Sequence, residues 1–314
     1  MNLPKPHKAQ RQQSKAAIVV EGLAGSGKSG VALLIAKALA KGYDGIWCVD
    51  TENKSLDLFE GITLSDGEKC EPFTKVDLLP EHGYAPSTFL ALREQAISDG
   101  AKVFVQDSTS HAWVGQDGVL ALVGKLEEEN SKLNKFNAWG NPTVVDEKTG
   151  LTSMIRDSRI HVISTVRLKE KFDLIPGEGV KSRGECQIMQ ADMKYEPDLL
   201  LRTVKPGTPD GQPPVVEVMK TRYAFLRLGQ QYELTKDLLQ QLVDYLDEGV
   251  TPEVLEKQQA EGLVVSITDV LKNNKVKQMS YKMWRNNNKI PEDYKLTDFS
   301  LEQLQTLYRQ LTSN

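Results

Sequence analysis

Short runs of apolar residues alternate with stretches of helical period along the first 250 residues. The runs at 16–21, 45–50, 103–107 and 160–165 are almost continuously apolar, as in strands that are covered on both faces. Helices are predicted between them, since apolar positions there recur every three or four residues. Strands that alternate with helices predict an α/β fold built on a mainly parallel, right-handedly connected sheet flanked by helices.

Helix boundaries follow from turn formers and caps. The first helix presents Val31 and Leu34 on one face and ends at Gly42, and a second is predicted at 87–98, with Ser87 as its cap. Further helices are predicted at 118–133 and 235–246, with a polar stretch at 137–150.

The pattern changes after Arg167. Residues 169–191 carry charges and glycines without a sustained period, and they are interpreted as a long functional loop. Alternation at 215–220 and 223–228 predicts a terminal hairpin, and 251–314 predict a small helical unit in which Ser266 opens one helix and a Ser300-x-x-Gln303 capping box opens the last. The expected organisation is a basic tail (1–15), a nucleotide domain (16–249) and a small helical domain (250–314).

Composition and charge limit the class of protein and the cellular compartment. Its 314 residues are 39% hydrophobic, which is enough for a core, and the formal net charge of -4 requires any nucleic-acid contact to come from local basic patches. Three cysteines without C-x-x-C spacing indicate a reducing compartment and no structural zinc. No signal segment or membrane span is evident, so a cytoplasmic protein without a membrane partner is expected.

Residues 22–29 match the phosphate-loop pattern G-x-x-x-x-G-K-[ST] and stand between a predicted strand and a predicted helix. Backbone N–H groups of such a loop converge on a polyphosphate, the lysine reaches the terminal phosphates and the final hydroxyl ligates Mg²⁺. The positive end of the following helix adds to this binding. The predicted nucleotide-binding residues are Gly22, Ala24, Gly25, Ser26, Gly27, Lys28, Ser29 and Gly30.

Two acids at strand ends are the catalytic candidates. Asp107 closes an apolar strand and is predicted to help Ser29 hold Mg²⁺. Ser108 follows it, where one branch of phosphate-loop enzymes carries a glutamate base. Glu52, just beyond the neighbouring strand, is therefore chosen as the base that orients water. The alternative is that Asp50 and Glu52 merely cap a strand end.

The set 22–29, Asp50-Thr51-Glu52 and Asp107-Ser108 resembles the core of the RecA-type ATPases, in which the glutamate two residues after the strand-end aspartate is catalytic. This resemblance implies a RecA-like fold, with ATP and Mg²⁺ as cofactors. The strand 162–169 is similar to the one in which RecA carries a polar sensor before its second DNA-binding loop. Thr165 occupies the sensor position, where RecA has glutamine.

Residues 216–222 end in Lys220-Thr221-Arg222, which resembles the paired cations that RecA-type and ring-helicase ATPases insert into a neighbouring subunit's site. A cation supplied in this way offsets charge that develops on the γ-phosphate. The resemblance thus implies a homo-oligomer, ring or filament, with shared ATP sites. The alternative is a solvated pair at a hairpin turn.

The phrases at 107–113 and 135–139 look like those of phage-encoded RecA-like ATPases of the Sak type, which are associated with single-strand annealing and recombination. The resemblance covers about residues 5–248. It implies a DNA-stimulated ATP hydrolase in the bacterial host cytoplasm, with single-stranded DNA as a partner and a single-stranded-DNA-binding protein as a further candidate partner. His111 and Trp113 are equally consistent with packing behind Asp107.

Two basic segments are candidates for contact with single-stranded DNA, because cations neutralise phosphates while aromatic side chains stack on bases. The first is the 169–194 segment near the nucleotide, and the second is 272–289, where a basic helix facing the domain's own core is the competing interpretation. The candidate residues are Lys169, Lys171, Lys181, Arg183, Lys275, Lys277, Lys282, Trp284 and Arg285.

Three function classes follow: a DNA-dependent ATPase of recombination or annealing, a ring-type helicase or translocase, and a small-molecule phosphate-loop kinase. The kinase is disfavoured, because the Lys220-x-Arg222 pair lies on a late strand rather than a lid and because Glu52 suits water activation.

Overall fold

The computed structural model describes residues 8–129, 135–175, 179–272 and 274–312. Within this part of the chain, the strands form one nine-stranded sheet in the order β3-β2-β4-β5-β1-β7-β8-β9, with β6 paired to β5 alone. The strands are β1 (Ala17–Gly22), β2 (Ile46–Asp50), β3 (Thr74–Asp77), β4 (Val103–Asp107), β5 (His161–Ile175), β6 (Gly179–Gln187), β7 (Leu199–Lys205), β8 (Val215–Thr221) and β9 (Gln231–Glu233).

The central strands are parallel, as predicted. β1 lies between β5 and β7, and β5 separates β1 from β4. The carboxyl ends of β1, β2, β4 and the first half of β5 therefore meet at one edge of the sheet, which is where an open α/β sheet binds its ligands. The sheet with its flanking helices is the RecA-like α/β fold that the sequence predicted.

Helices cover both faces of the sheet. Side chains of α1 and α7 pack with one face of the central strands, and side chains of α2 and α6 pack with the other. The helices of this unit are α1 (Lys28–Ala40), α2 (Pro86–Ser98), α3 (Ser110–Val114), α4 (Val119–Glu129), α5 (Lys135–Trp139), α6 (Pro142–Ser153) and α7 (Lys236–Asp247). The last residues of the helix predicted at 118–133 lie outside the described part.

The structure corrects several local predictions. The polar stretch at 137–150 is largely helical, because Asn141 caps α6 by accepting from Thr143 N at 3.0 Å. Ser87 lies inside α2, after Pro86 at its first turn, rather than capping it. Strands β3 and β7 were not predicted, and β8 pairs with β7 and β9 instead of with 223–228.

The predicted long loop at 169–191 is a β-hairpin. β5 continues past the sheet to Ile175, and β6 returns antiparallel to it from Gly179 to Gln187. Most residues of the two strands after Leu168 are charged or polar, and a hairpin that leaves both faces in solvent gives no clear apolar period.

The chain divides into two compact units. One comprises residues 14–246, and the other joins the described residues before Ser14 to those from Asp247 onward. In the second unit, Gln13 N donates to Val250 O at 3.0 Å, and Arg11 pairs with Glu248 at 3.1 Å.

The second unit contains α8 (Pro252–Lys272), α9 (Lys275–Asn287) and α10 (Leu301–Thr312). The capping box at α10 is confirmed, because Ser300 N donates to Gln303 Oε1 at 2.9 Å and Gln303 N donates to Ser300 Oγ at 3.2 Å. Ser266 lies within α8, so its predicted role at a helix start is wrong. None of the described helices has the length and apolar character to cross a bilayer.

Candidate functional site

The phosphate loop joins β1 to α1 in a conformation that only glycine adopts easily. Gly25 and Gly27 have φ angles of 72° and 85°, in the left-handed region. A Cβ on Gly22 would lie 2.1 Å from Thr203 Oγ1 and 2.3 Å from Ser26 Oγ. Thr203, on β7, donates to Ser26 Oγ at 2.6 Å, so a hydrogen bond connects β7 to the loop.

The loop borders a cavity of about 460 Å³ at the carboxyl edge of the sheet. The predicted residues that the structure brings to this cavity are Ala24, Gly25, Lys28, Ser29, Glu52 and Asp107. Gly22, Ser26, Gly27 and Gly30 belong to the same loop and helix start without lining the cavity. The arrangement suits a polyphosphate, since the glycine loop, the start of α1 with Lys28 and Ser29, and two acids all border one cavity.

Lys28 is half-buried, and its Nζ donates to Leu23 O at 2.9 Å. Burial lowers its pKa from the usual value, and this effect is partly offset by the charges of Asp107 and Glu52. A phosphate in the cavity would supply this ammonium group with a directly bonded anionic partner.

Asp107 is buried at the end of β4, where Thr165 donates a hydrogen bond to its Oδ1. Its Oδ2 is buried and has no hydrogen-bond partner among the described residues. Burial raises the pKa of this carboxyl, while the hydroxyls of Ser29 and Thr165 oppose the shift. An orphaned carboxylate oxygen beside the Ser29 hydroxyl fits Mg²⁺, which keeps several waters and takes few ligands from the protein.

The described residues contain no group of three or more His, Cys, Asp or Glu arranged around a metal. Mg²⁺ at a phosphate site needs no such group, because phosphate oxygens complete its octahedron. Ser29 and Asp107 are therefore the residues that would hold it, and the ion would screen charge on the transferred phosphate.

Thr51 positions the two acids relative to each other. Its N–H donates to Asp107 O at 2.7 Å, and its Oγ1 accepts from Ser108 N at 2.8 Å. Thr51 Oγ1 also lies 2.6 Å from His111 Nδ1, and the His111 ring stacks on Tyr84 with centroids 4.8 Å apart. His111 therefore packs behind the acids, which is the structural role that the sequence left open.

Asp50 and Glu52 have different environments. Asp50 is buried and accepts from Glu52 N at 2.7 Å and from Leu56 N at 2.8 Å, so it holds the turn after β2. Glu52 faces the cavity and is paired with Arg167, whose Nε donates to Oε1 at 2.6 Å while Nη2 donates to Oε2. Burial opposes ionisation of Glu52, but the Arg167 hydrogen bonds outweigh it and lower the pKa.

The Lys220 and Arg222 pair lies apart from this cavity. Lys220 pairs with Leu200 on β7, and Arg222 N donates to Asp198 O at 2.8 Å, at the level where Asp198 N reaches Ala17 O. Since β1 rises about 3.3 Å per residue, the level of Ala17 is roughly 17 Å along the strand from the end of β1 at Gly22. The pair lies towards the amino end of the strand that precedes the phosphate loop.

Both cations have partners within the chain. Lys220 donates to Tyr195 O, and Arg222 pairs with Asp198 at 3.0 Å. Asp198 also pairs with Arg156 at 2.6 Å. More than half of the Arg222 side chain is nevertheless exposed to solvent.

The hairpin β5–β6 places the four basic candidates of the first segment in solvent: Lys169, Lys171, Lys181 and Arg183. Arg183 pairs with Asp173 across the strands. Two apolar side chains are also exposed beside them, Phe172 at 55% and Val180 at 66%.

The second basic segment is α9 together with the residues after it. Lys275 and Lys282 are exposed and Lys277 is half-buried, whereas Arg285 donates to Pro291 O and lies over the Tyr281 ring. Trp284 is only 5% exposed and packs against Phe299 in the core of this unit. The prediction that Trp284 stacks on bases is wrong, because its ring faces are already covered.

Two residues at the site were missed by sequence reasoning. Arg167 forms an ion pair with Glu52, and Thr203 on β7 donates a hydrogen bond to Ser26. Arg167 lies two residues after Thr165, and alternate residues of a strand share a face, so strand periodicity places it on the site side. No sequence signal places Thr203, because β7 was not recognised.

The parallel sheet, the glycine loop after β1 and the strand β5 between β1 and β4 define a RecA-like α/β fold with a phosphate-loop motif. Among solved structures, the chain is similar to a KaiC-like protein from the hyperthermophilic archaeon Pyrococcus horikoshii OT3. The TM-score is 0.36 and the identity 13%, over 70% of this chain and 84% of that chain. No protein-family model and no curated protein sequence matches the chain.

Proposed function

We propose that this chain is an ATP hydrolase of the Sak-type RecA-like kind, which binds single-stranded DNA and assists recombination or strand annealing. The observation that carries the hydrolase is the cavity where Lys28, Ser29 and Asp107 face Glu52. Lys28 binds the terminal phosphates, Ser29 and Asp107 would hold a Mg²⁺ ion that offsets the phosphate charge, and Glu52 orients the attacking water.

The DNA part of the proposal is supported by the exposed hairpin. Its four cations suit a phosphate backbone, and Phe172 offers an exposed ring on which a base can stack. The hairpin also continues directly from β5, whose Thr165 contacts Asp107.

The test is ATP hydrolysis by the purified chain with and without single-stranded DNA. We expect DNA to stimulate turnover, and we expect Lys28→Ala and Glu52→Gln to abolish it while Glu52→Gln still binds ATP. A positioned base contributes about 10²–10⁴-fold, which sets the expected decrease in Glu52→Gln. Full turnover in Glu52→Gln would show that another residue is the base. An ATPase rate that no polynucleotide changes would contradict the DNA-dependent part of the proposal.

Shared sites in a homo-oligomer are a further part of the proposal. The position of Arg222 towards the amino end of the sheet supports it, because a phosphate that reaches Arg222 belongs to another copy. Mixing Arg222→Ala subunits with Lys28→Ala subunits should restore activity, since some junctions then pair an intact loop with an intact cation.

Arg156→Ala is the matched control, because Arg156 shares Asp198 with Arg222. If Arg156→Ala loses activity like Arg222→Ala, then Arg222 acts through the Asp198 cluster rather than on a phosphate. Absence of rescue at any mixing ratio would contradict the shared site.

The basic surface of α9 is proposed as a second DNA contact. Lys275→Gln with Lys282→Gln should weaken DNA binding and reduce its salt dependence, by about 0.7 in logarithmic slope for each phosphate that the variant no longer neutralises. Lys257→Gln, an exposed lysine on α8, is the control. An unchanged slope in the double variant would exclude this surface.

A ring-type helicase or translocase would use the same loop, base and cation pair. A strand-displacement assay separates it from an annealing ATPase, because only the motor separates duplex DNA in an ATP-dependent manner.

A further inference from the structure

The base proposed for hydrolysis is restrained by its own chain. Arg167 grips both carboxylate oxygens of Glu52 in a fork, which is the strongest kind of ion-pair geometry available to a carboxylate. The pair is partly shielded from solvent, with the Arg167 side chain 37% exposed and the Glu52 side chain 25% exposed, so salt and water screen it less than a fully exposed pair. The fork occupies one lone pair of each carboxylate oxygen and fixes the plane of the group, so Glu52 cannot turn towards a water without breaking a hydrogen bond to Arg167.

Arg167 lies at the junction between the central sheet and the hairpin. It is the last residue of β5 that pairs with β1, opposite Gly22, and the next residue, Leu168, already pairs with Gln187 of β6. The Arg167 carbonyl accepts from Ile188 N at 2.8 Å, directly after β6 ends. Arg167 is therefore paired with β1 of the central sheet, and the residue that follows it is paired with β6 of the hairpin.

The backbone before this junction is fixed to the Mg²⁺ side of the site. Arg167 N donates to Ser110 Oγ at 2.9 Å, and Thr109 donates twice to Thr165 O, at 3.0 Å through its N–H and 2.9 Å through its hydroxyl. With that side fixed, a change in hairpin tilt is taken up at Arg167 and the residues beyond it.

We propose that Arg167 is a positioning residue that restrains Glu52, and that single-stranded DNA bound along the β5–β6 hairpin draws Arg167 away so that Glu52 can orient water. This inference rests on the proposed function and adds its regulation. In this proposal, β5 connects the DNA-binding surface to the hydrolytic site, because the hydrogen bonds from Arg167 to Glu52 break when DNA binds the hairpin.

The test is the rate of ATP hydrolysis by full-length Arg167→Ala in the absence of DNA. We expect a rise of about tenfold, which corresponds to removing a restraint of about 1.4 kcal/mol, and a smaller ratio of DNA-stimulated to basal rate. Arg167→Lys keeps the charge but loses the fork, so its basal rate should lie between those of wild type and Arg167→Ala. A basal rate below that of wild type in both variants would overturn the proposal, because it would assign Arg167 a direct role on the phosphate.

Two controls keep the result specific. Adding Glu52→Gln to Arg167→Ala should abolish the raised rate, and a raised rate that survives would overturn the proposal. Arg159→Ala removes another forked pair, with Glu94 at 2.8 and 2.5 Å, outside the cavity and should leave both rates unchanged. Binding of a non-hydrolysable ATP analogue to each variant confirms that the site is intact.

The outcomes separate this inference from the function it rests on. If DNA does not stimulate the wild type, the DNA-dependent function fails, and the missing coupling overturns the proposed release as well. If DNA stimulates the wild type but Arg167→Ala keeps the wild-type basal rate and full stimulation, the function stands and the restraint is overturned.

Discussion

Replacing Thr165 with valine tests whether the end of β5 supports the Mg²⁺ acid. Thr165 is fully buried, and its hydroxyl donates to Oδ1 of Asp107, whose Oδ2 has no partner among the described residues. Thr165→Val keeps the volume and removes the donor. A hydrogen bond to a charged group contributes about 1.5–3 kcal/mol, and the Ser29 hydroxyl, which already supports this carboxyl in the wild type, does not replace the lost donor. We expect the free energy of unfolding to fall by about that amount.

The same change should raise the Mg²⁺ concentration needed for half-maximal hydrolysis, because the carboxyl loses a donor that favours its ionised form. Urea denaturation and Mg²⁺ titration of the ATPase rate measure the two effects. Thr165→Ser retains the hydroxyl and should stay close to wild type in Mg²⁺ requirement. A valine variant with wild-type stability and wild-type Mg²⁺ requirement would refute the reasoning.

Three further predictions follow from contacts at the site and in the second unit. Gly22→Ala should weaken ATP-analogue binding, because its Cβ would lie 2.1 Å and 2.3 Å from two hydroxyl oxygens and displace the loop; equilibrium binding equal to wild type would show that the loop absorbs the methyl group. Burial raises the pKa of Asp107 above its usual 3.8, so the acid is protonated at a higher pH than an exposed aspartate. Mg²⁺-dependent kcat/KM should therefore fall on acidification with a midpoint above 3.8, and a profile flat down to about pH 4 would argue against an essential Asp107. Trp284→Ala should destabilise the carboxyl-terminal unit by about 3–5 kcal/mol, whereas Met283→Ala, at a side chain 61% exposed, should cost less than about 0.5 kcal/mol; equal effects in thermal unfolding would contradict the core role of Trp284.

The sequence predicted the central sheet because its strands are covered on both faces. Near-continuous apolar runs at β1, β2 and β4 have no competing interpretation when turn formers flank them. The sequence did not predict β3, because this edge strand has only four residues, Thr74–Asp77, and mixes charged and apolar positions. The sequence did not predict β7, because the apolar run at its start is followed by Arg202 and Lys205, which are typical of a loop. In the structure, Arg202 pairs with Glu21 at 2.5 Å.

The site divides in the same way. The glycine loop, Ser29 and Asp107 follow from motif spacing, because a phosphate site needs those residue types in that order. The state of Glu52 does not follow, since its partner Arg167 is 115 residues away in sequence. Trp284 shows the opposite error: an aromatic residue among lysines resembles a stacking surface until the packing of Ile267 and Phe299 around it is known.

β5 continues beyond the sheet as an arm from Arg167 to Ile175, its pairing with β6 shifts register between Glu170 and Phe172, and in the proposed regulation Arg167 is the pivot of this arm. From that pivot to Ile175 the arm extends about 26 Å at 3.3 Å per residue. A contact near Ile175 bends the arm and displaces Arg167 little. A contact next to Arg167 displaces that residue directly. If DNA binds the hairpin as proposed, contacts close to Lys169 should therefore affect the rate of hydrolysis more strongly than contacts close to Gly179.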